Sequence, residues 1–71
     1  MTSADIKRSI TVAGHRTSIS LEPEFWAALQ RLAKSRSLSL SALVAEIDQT
    51  RSNRNLSSAI RVAILQATPG P

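Results

Sequence analysis

The sequence predicts a mainly α-helical domain with one short β-strand, completed by a second copy of the chain. Residues 16–21 alternate as a strand does, and helical periodicities follow them. The 71 residues contain no Cys and one His, which excludes disulfides and thiolate zinc sites, and chains of this size seldom build a sufficient core alone. We therefore expect a homodimer, with an N-terminal arm (1–15), a folded domain (16–67) and a disordered tail (68–71).

The composition and the net charge indicate a folded protein with an anionic binding partner. Hydrophobic residues make up 42% of the chain, which is too many for a disordered protein. The net charge of +4 favours an anionic partner such as nucleic acid, and the excess of cations lies in residues 1–21 and 49–71. No apolar run is long enough to span a membrane, and residues 1–8 lack the apolar segment of a signal peptide. We expect no membrane association and a cytoplasmic protein.

The strand has one apolar and one polar face. Its inward residues are Thr17, Ile19 and Leu21, and its outward residues alternate with them. A lone strand has no ladder partner for its backbone N–H and C=O groups. Residues 9–13, an extended arm, can supply one through a turn at Gly14. An antiparallel ribbon with the same strand of a second chain satisfies both chains by two-fold symmetry, and we favour it.

Two helices follow the strand. Pro23 suits the first position of a helix that ends near Ser35, although Glu22 is a poor N-cap. Ser39 is a good N-cap for the second helix. Its apolar residues repeat at helical spacing without a miss: Leu40, Leu43, Val44 and Ile47.

A polar loop between Asp48 and Asn55 separates these helices from a third. The third helix, from Leu56 to Leu65, carries apolar residues around much of its circumference. Such breadth predicts burial on more than one side, most simply in a contact between two chains.

Several of these segments together resemble the ribbon-helix-helix family, which includes the Arc and methionine repressors. The resemblance rests on His15 to Glu22, the Phe25-Trp26 pair, the Leu38-Ser39 turn and the block 56–61. It is most similar to a compact bacterial subgroup with an additional C-terminal helix, although Ser37 stands where Gly is usual. The resemblance implies an intertwined homodimer that shares a two-stranded antiparallel ribbon, inserts it into the major groove of double-stranded DNA and represses transcription.

The resemblance also implies site residues. The outward strand residues contact bases, and a two-stranded ribbon fits the major groove, where Arg bonds guanine and Ser hydroxyls bond either base: these are Arg16, Ser18 and Ser20. Phosphate contacts are expected at the start of the second helix, where N–H groups favour anions, and in the N-terminal segment: Ser39, Leu40, Ser41, Lys7, Arg8 and His15. The simpler alternatives are that Arg16, Lys7 and Arg8 are only solvated and that Ser39 is only a cap.

The remaining expectations concern the core and the function. The expected dimer core comprises Ile19, Leu21, Phe25, Trp26, Leu29, Leu43, Val44, Ile47, Ile60 and Ile64. We expect no catalytic residues, no metal and no cofactor, because the single His has no Cys partner and no Gly-rich phosphate loop is present. The alternative functions are an antitoxin or protein-interaction module that binds a partner protein through the third helix, and a dimeric scaffold without DNA binding. Assembly above the dimer on DNA stays open.

Overall fold

The computed structural model describes residues 5–51 and 55–67, which form a β-hairpin followed by three helices. The ends of the expected arm and loop, 1–4 and 52–54, and the expected tail, 68–71, lie outside the described residues. The elements in chain order are β1 (Ile6–Val12), β2 (His15–Leu21), α1 (Pro23–Ser35), α2 (Leu40–Thr50) and α3 (Leu56–Ala67).

The expectation of a single strand is wrong, because the segment interpreted as an arm forms the first strand of a hairpin. β1 and β2 pair antiparallel, from Ile6 opposite Leu21 to Val12 opposite His15. The two residues between them, Ala13 and Gly14, have φ values of 52° and 84°. Left-handed backbone at both central positions is the type I′ turn, whose twist matches that of the flanking strands. The first ladder partner of β2 therefore comes from its own chain.

The register of the hairpin sorts its side chains by polarity. Residues directly opposite each other share a face, and successive residues alternate between faces. Ile10, Val12, Ile19 and Leu21 all lie on one face and are at most 8% exposed. This inner face packs against the helices and carries the strand contribution to the core.

α1 begins and ends where the sequence predicts. Its N-cap, Glu22, has extended backbone and makes no side-chain cap hydrogen bond. At the other end Ser37 adopts φ 56°, and its N–H donates to the carbonyl of Lys34 at 3.1 Å. The N–H of Leu38 donates to the carbonyl of Ala33 at 2.9 Å. This pair of bonds is a Schellman motif, with Ser in the left-handed position that Gly usually occupies.

Side-chain caps fix the start of the other two helices. The expected N-cap of α2 is confirmed, since the N–H of Ala42 donates to Ser39 Oγ at 3.0 Å. α2 runs on to Thr50, two residues beyond the expected start of the loop. α3 begins after Asn55, whose Oδ1 accepts a hydrogen bond from the N–H of Ser58 at 2.8 Å.

One hydrophobic core joins all five elements, and among the described residues no polar side chain is buried in it. Each residue of the expected dimer core is buried within the single chain, except Phe25, which is half-buried. The buried set also includes Ile10, Val12, Ala33 and Ala59. Apolar positions read from the sequence as a contact between chains thus pack first against their own chain.

The apolar residues of α3 also pack against their own chain. It packs against α1, α2 and β2, and it buries Ala59, Ile60 and Ile64. Leu65 projects from the opposite side and is 74% exposed. None of the helices within residues 5–51 and 55–67 has the length and apolar character needed to cross a membrane.

The turn provides a stability prediction. Ala13 holds a left-handed conformation that Asn tolerates better, and Asn-Gly is the preferred type I′ pair. We expect Ala13→Asn to raise the free energy of unfolding by about 0.5–1 kcal/mol, measured by urea denaturation. Ala13→Val, a β-branched control, should lower it, and a destabilising Asn would contradict the turn assignment.

Candidate nucleic-acid interface

The outer face of the hairpin is entirely polar. It presents three rows of facing side chains, with Lys7 opposite Ser20, Ser9 opposite Ser18 and Thr11 opposite Arg16. All of them are exposed except Ser20, which is partly buried. We call these six residues the outer ribbon.

The charge on the outer ribbon is positive. Lys7 and Arg16 are its two cations, and none of its six residues is acidic. They occupy diagonally opposite corners, Lys7 near the start of β1 and Arg16 near the start of β2. The nearest acids in the sequence, Asp5 and Glu22, lie just outside the paired strands. The ribbon therefore presents hydroxyl groups flanked by a cation at each end.

The dimensions of the outer ribbon suit a DNA groove. Side chains on one face of a strand repeat every ~6.8 Å, which is about two base-pair steps of DNA. Lys7 and Arg16 lie in rows four residues apart, a separation of roughly 14 Å along the strands. The two backbones are about 4.8 Å apart, and the major groove is about 12 Å wide. The hairpin with its side chains thus fits into the groove.

β1 is fastened to α1 through Trp26. The indole Nε1 donates a hydrogen bond to the carbonyl of Ile6 at 2.8 Å, and Trp26 is only 2% exposed. On the inner side of the sheet, the guanidinium of Arg8 lies 5.1 Å from the centroid of the same ring. This cation–π contact places Arg8 on the face opposite Lys7. Of the two N-terminal cations expected to contact phosphate, only Lys7 lies on the outer ribbon.

The remaining phosphate candidates lie at two separate places. Ser39 uses its Oγ in the N-cap of α2, Leu40 is partly buried and Ser41 is exposed. The first turn of α2 has no acidic residue, so no local negative charge opposes an anion at its N–H groups. His15 is exposed beside the turn and pairs with Val12 in the ladder.

Sequence reasoning missed Ser9 and Thr11, which the register places beside Ser18 and Arg16. The sequence nevertheless contains a pattern that predicts the first strand of the hairpin. Polar residues at 7, 9 and 11 alternate with apolar residues at 10 and 12, and a two-residue spacer containing Gly precedes the second alternating run. Two such runs separated by two residues are the usual signature of a hairpin.

Arg61 links α3 to the start of α1. Its Nε donates to Glu22 Oε1 at 2.9 Å, and its guanidinium lies 5.8 Å from the ring centroid of Phe25. The pKa of the Glu22 carboxyl is lowered, first by a hydrogen bond from its own backbone N–H and then by Arg61. The cation is therefore neutralised locally and adds little to the positive charge available to a partner.

An open apolar groove lies beside this ion pair. It has a volume of about 320 Å³ and is lined by Phe25, Arg61, Val62, Ile64 and Leu65. We call it the α3 groove. The exposed side chain of Leu65 forms part of its wall, so an apolar surface is open to a partner here.

A β-ribbon followed by helices, with a cationic polar face on the ribbon, defines a small ribbon-and-helix domain. The family model described as "Ribbon-helix-helix domain" matches residues 5–68, and the chain belongs to this family. Its domains typically bind DNA in transcription regulators and antitoxins, generally dimerise and are generally not enzymes. No curated protein and no solved structure shows a significant match to the chain.

The attachment of β1 is testable at Trp26. Trp26→Phe removes the hydrogen bond to Ile6 and leaves a smaller ring, so we expect the free energy of unfolding to fall by about 1–3 kcal/mol. Amide hydrogen exchange should accelerate most in β1. Similar acceleration in α2 and β1 would indicate a general loss of packing and contradict a specific role for Trp26 in fastening the strand.

Proposed function

We propose that the chain is a DNA-binding transcriptional regulator, a repressor that acts as a homodimer and reads DNA in the major groove through the outer ribbon. One observation carries the proposal. The hairpin exposes a face with two cations, four hydroxyl-bearing residues and no acid, while the apolar residues of its other face pack in the core. Membership of a family whose domains typically bind DNA supports the same conclusion.

Each residue type on the ribbon has a role in this proposal. Arg16 is suited to bidentate bonding with guanine O6 and N7. Ser18 and Ser20 donate to or accept from base edges over a short reach. The N–H groups at the start of α2, around Ser41, hold a phosphate of the adjacent backbone, and Lys7 contributes a further phosphate contact.

Arg16 provides the test of base reading. Against a site selected from random double-stranded DNA, we expect Arg16→Ala to weaken binding by about 1–3 kcal/mol and to relax the preference at one position. Arg31→Ala is the matched control, because Arg31 is exposed on α1 and loses the same charge. Fluorescence anisotropy at fixed salt measures both affinities.

Two outcomes would contradict the proposal. Equal effects of the Arg16 and Arg31 substitutions would mean that only net charge matters. Absence of binding by the unsubstituted chain even at low salt, where phosphate contacts are strongest, would remove DNA as the partner.

The open α3 groove bears on a second candidate function, a protein-interaction module that acts through α3 as in an antitoxin, which would need this groove for a partner protein. We assign the groove to a second copy of the chain. Each copy carries both the groove and the projecting Leu65, so a two-fold contact lets Leu65 of each copy enter the groove of the other. General dimerisation in the family supports this occupant.

The assignment predicts a change of oligomeric state. Leu65→Gln should shift the chain from dimer towards monomer in sedimentation equilibrium, because it removes an apolar side chain from the contact twice. Gln66→Ala, at the exposed neighbouring position, should leave the dimer intact. If Leu65→Gln remains dimeric with unchanged affinity, the copies meet elsewhere and the groove is available to a different protein.

A further inference from the structure

We infer that the free edge of β2 pairs antiparallel with the same edge of a second copy, so that two hairpins form one four-stranded sheet. The β2 strands of the two copies lie at its centre, and a β1 strand lies at each outer edge. The inference rests on the homodimer of the proposed function and specifies a surface at which its copies meet.

The free edge of β2 consists of backbone groups that the hairpin leaves unpaired. In a hairpin with a two-residue type I′ turn, the pair next to the turn, Val12 and His15, exchanges both hydrogen bonds, and every second pair does the same. The N–H and C=O groups of the β2 residues between these pairs point away from β1. They belong to Arg16, Ser18 and Ser20, and within the described part of the chain no backbone group beyond the hairpin bonds to them.

The two edges of the hairpin differ in charge, and only the edge of β2 suits the addition of a strand. β1 carries Lys7 on its outer face and Arg8 on its inner face, where the guanidinium lies over the ring of Trp26. Lysines and inward-pointing charges on an edge strand oppose pairing with another strand. β2 has one arginine, Arg16, near its start, and residues 17–21 are uncharged. The edge of β2 therefore lacks the protection that β1 has.

One register gives all three edge residues an extended partner. With Ser18 opposite its counterpart in the second copy, Arg16 lies opposite Ser20 at both ends, and each pair exchanges two hydrogen bonds. A shift towards the turn would place Ser20 opposite Gly14, whose φ of 84° is not extended. A shift towards α1 would place Arg16 opposite Glu22, whose carbonyl already accepts hydrogen bonds from two N–H groups of α1. The register centred on Ser18 is therefore favoured.

The side chains are compatible in this register. On the outer face, Arg16 of one copy lies beside Ser20 of the other. The two arginines are then four residues apart along the strands, about 14 Å, which exceeds the Debye length of about 8 Å at physiological salt. On the inner face, the partly buried Thr17 lies beside Ile19 of the second copy. The pairing thus brings no like charges together.

The four-stranded sheet also determines which strands enter a DNA groove. Its outermost backbones are about 14 Å apart, which is wider than the major groove, about 12 Å. The two central strands are only about 4.8 Å apart. On the proposed DNA site, the β2 strands of both copies enter the groove, and each β1 strand lies over a groove wall, where Lys7 is near the phosphates.

The first experiment places Pro on each edge of the hairpin in the full chain. Pro lacks the N–H and is tolerated in an edge strand where that N–H faces solvent. Ser18→Pro removes the central edge N–H of β2, and we expect the dimer dissociation constant from sedimentation equilibrium to rise by roughly tenfold or more. Ser9→Pro is the matched control, because Ser9 lies opposite Ser18 on the edge strand β1. It should leave the dissociation constant unchanged.

The second experiment needs no substitution. Residue-resolved amide hydrogen exchange of the full chain, measured by NMR, reports on each edge separately. At concentrations at which the chain is dimeric, the three edge N–H groups of β2 should exchange as slowly as that of Ile19. Their protection should decrease on dilution. The N–H groups of Ser9 and Thr11, on the edge of β1, should exchange rapidly at every concentration.

The outcomes separate this inference from the proposed DNA binding. Rapid exchange at Ser18 in the dimer, equal effects of the two Pro substitutions, or a chain that stays monomeric would overturn the four-stranded sheet. Failure of the unsubstituted chain to bind DNA would overturn the proposed DNA binding and leave the sheet in place. Slow exchange confined to the β2 edge, together with a weakened dimer in Ser18→Pro alone, supports the inference.

Discussion

The left-handed turn at Ala13 and Gly14 is the constraint on which the rest of the structure depends. A two-residue turn fixes which strand positions face each other, and a shift of one residue would move every side chain to the opposite face. With the observed register, apolar residues of both strands lie in the core, and the hydroxyl-bearing residues and two cations lie on the outer ribbon. The same turn therefore sets both the packing of the sheet and the composition of the candidate DNA-binding face. Neither Gly14 nor the turn contributes a functional group itself.

The helices hold this hairpin by contacts of different kinds. Trp26 combines a buried ring, a hydrogen bond to Ile6 and a cation–π contact with Arg8, so a single α1 residue interacts with β1 through packing, polar bonding and charge. α3 closes the other side through Ile60 and Ile64 and through the ion pair between Arg61 and Glu22. The ion pair is half-buried and still largely reached by solvent, so it contributes little stability, whereas burial of the apolar residues contributes most.

The two candidate binding surfaces, the outer ribbon and the α3 groove, differ in their chemistry. The outer ribbon is polar and cationic, which suits a phosphate-bearing partner whose base edges carry donors and acceptors. The α3 groove is apolar and lies near a neutralised ion pair, which suits a protein surface. Under the proposed function, a chain with one surface of each kind binds DNA and a second copy at the same time.

The sequence by itself determined the local features of this protein. Pro23 and Ser39 determine where α1 and α2 begin, the alternation in β2 identifies its two faces, and the combined motifs predict the ribbon-helix-helix family, which the family comparison confirms. The choice between pairing β2 with its own chain and pairing it with a second chain was left open by the sequence, and the tertiary structure shows the pairing with β1. The pattern of β1 is the less regular one, because Arg8 interrupts the apolar alternation of its inner face and is accommodated there by the ring of Trp26. The assignment of the apolar residues to a core within one chain was likewise decided by packing. Hydrophobicity is not directional, so a sequence pattern shows which residues avoid water and leaves open which chain covers them.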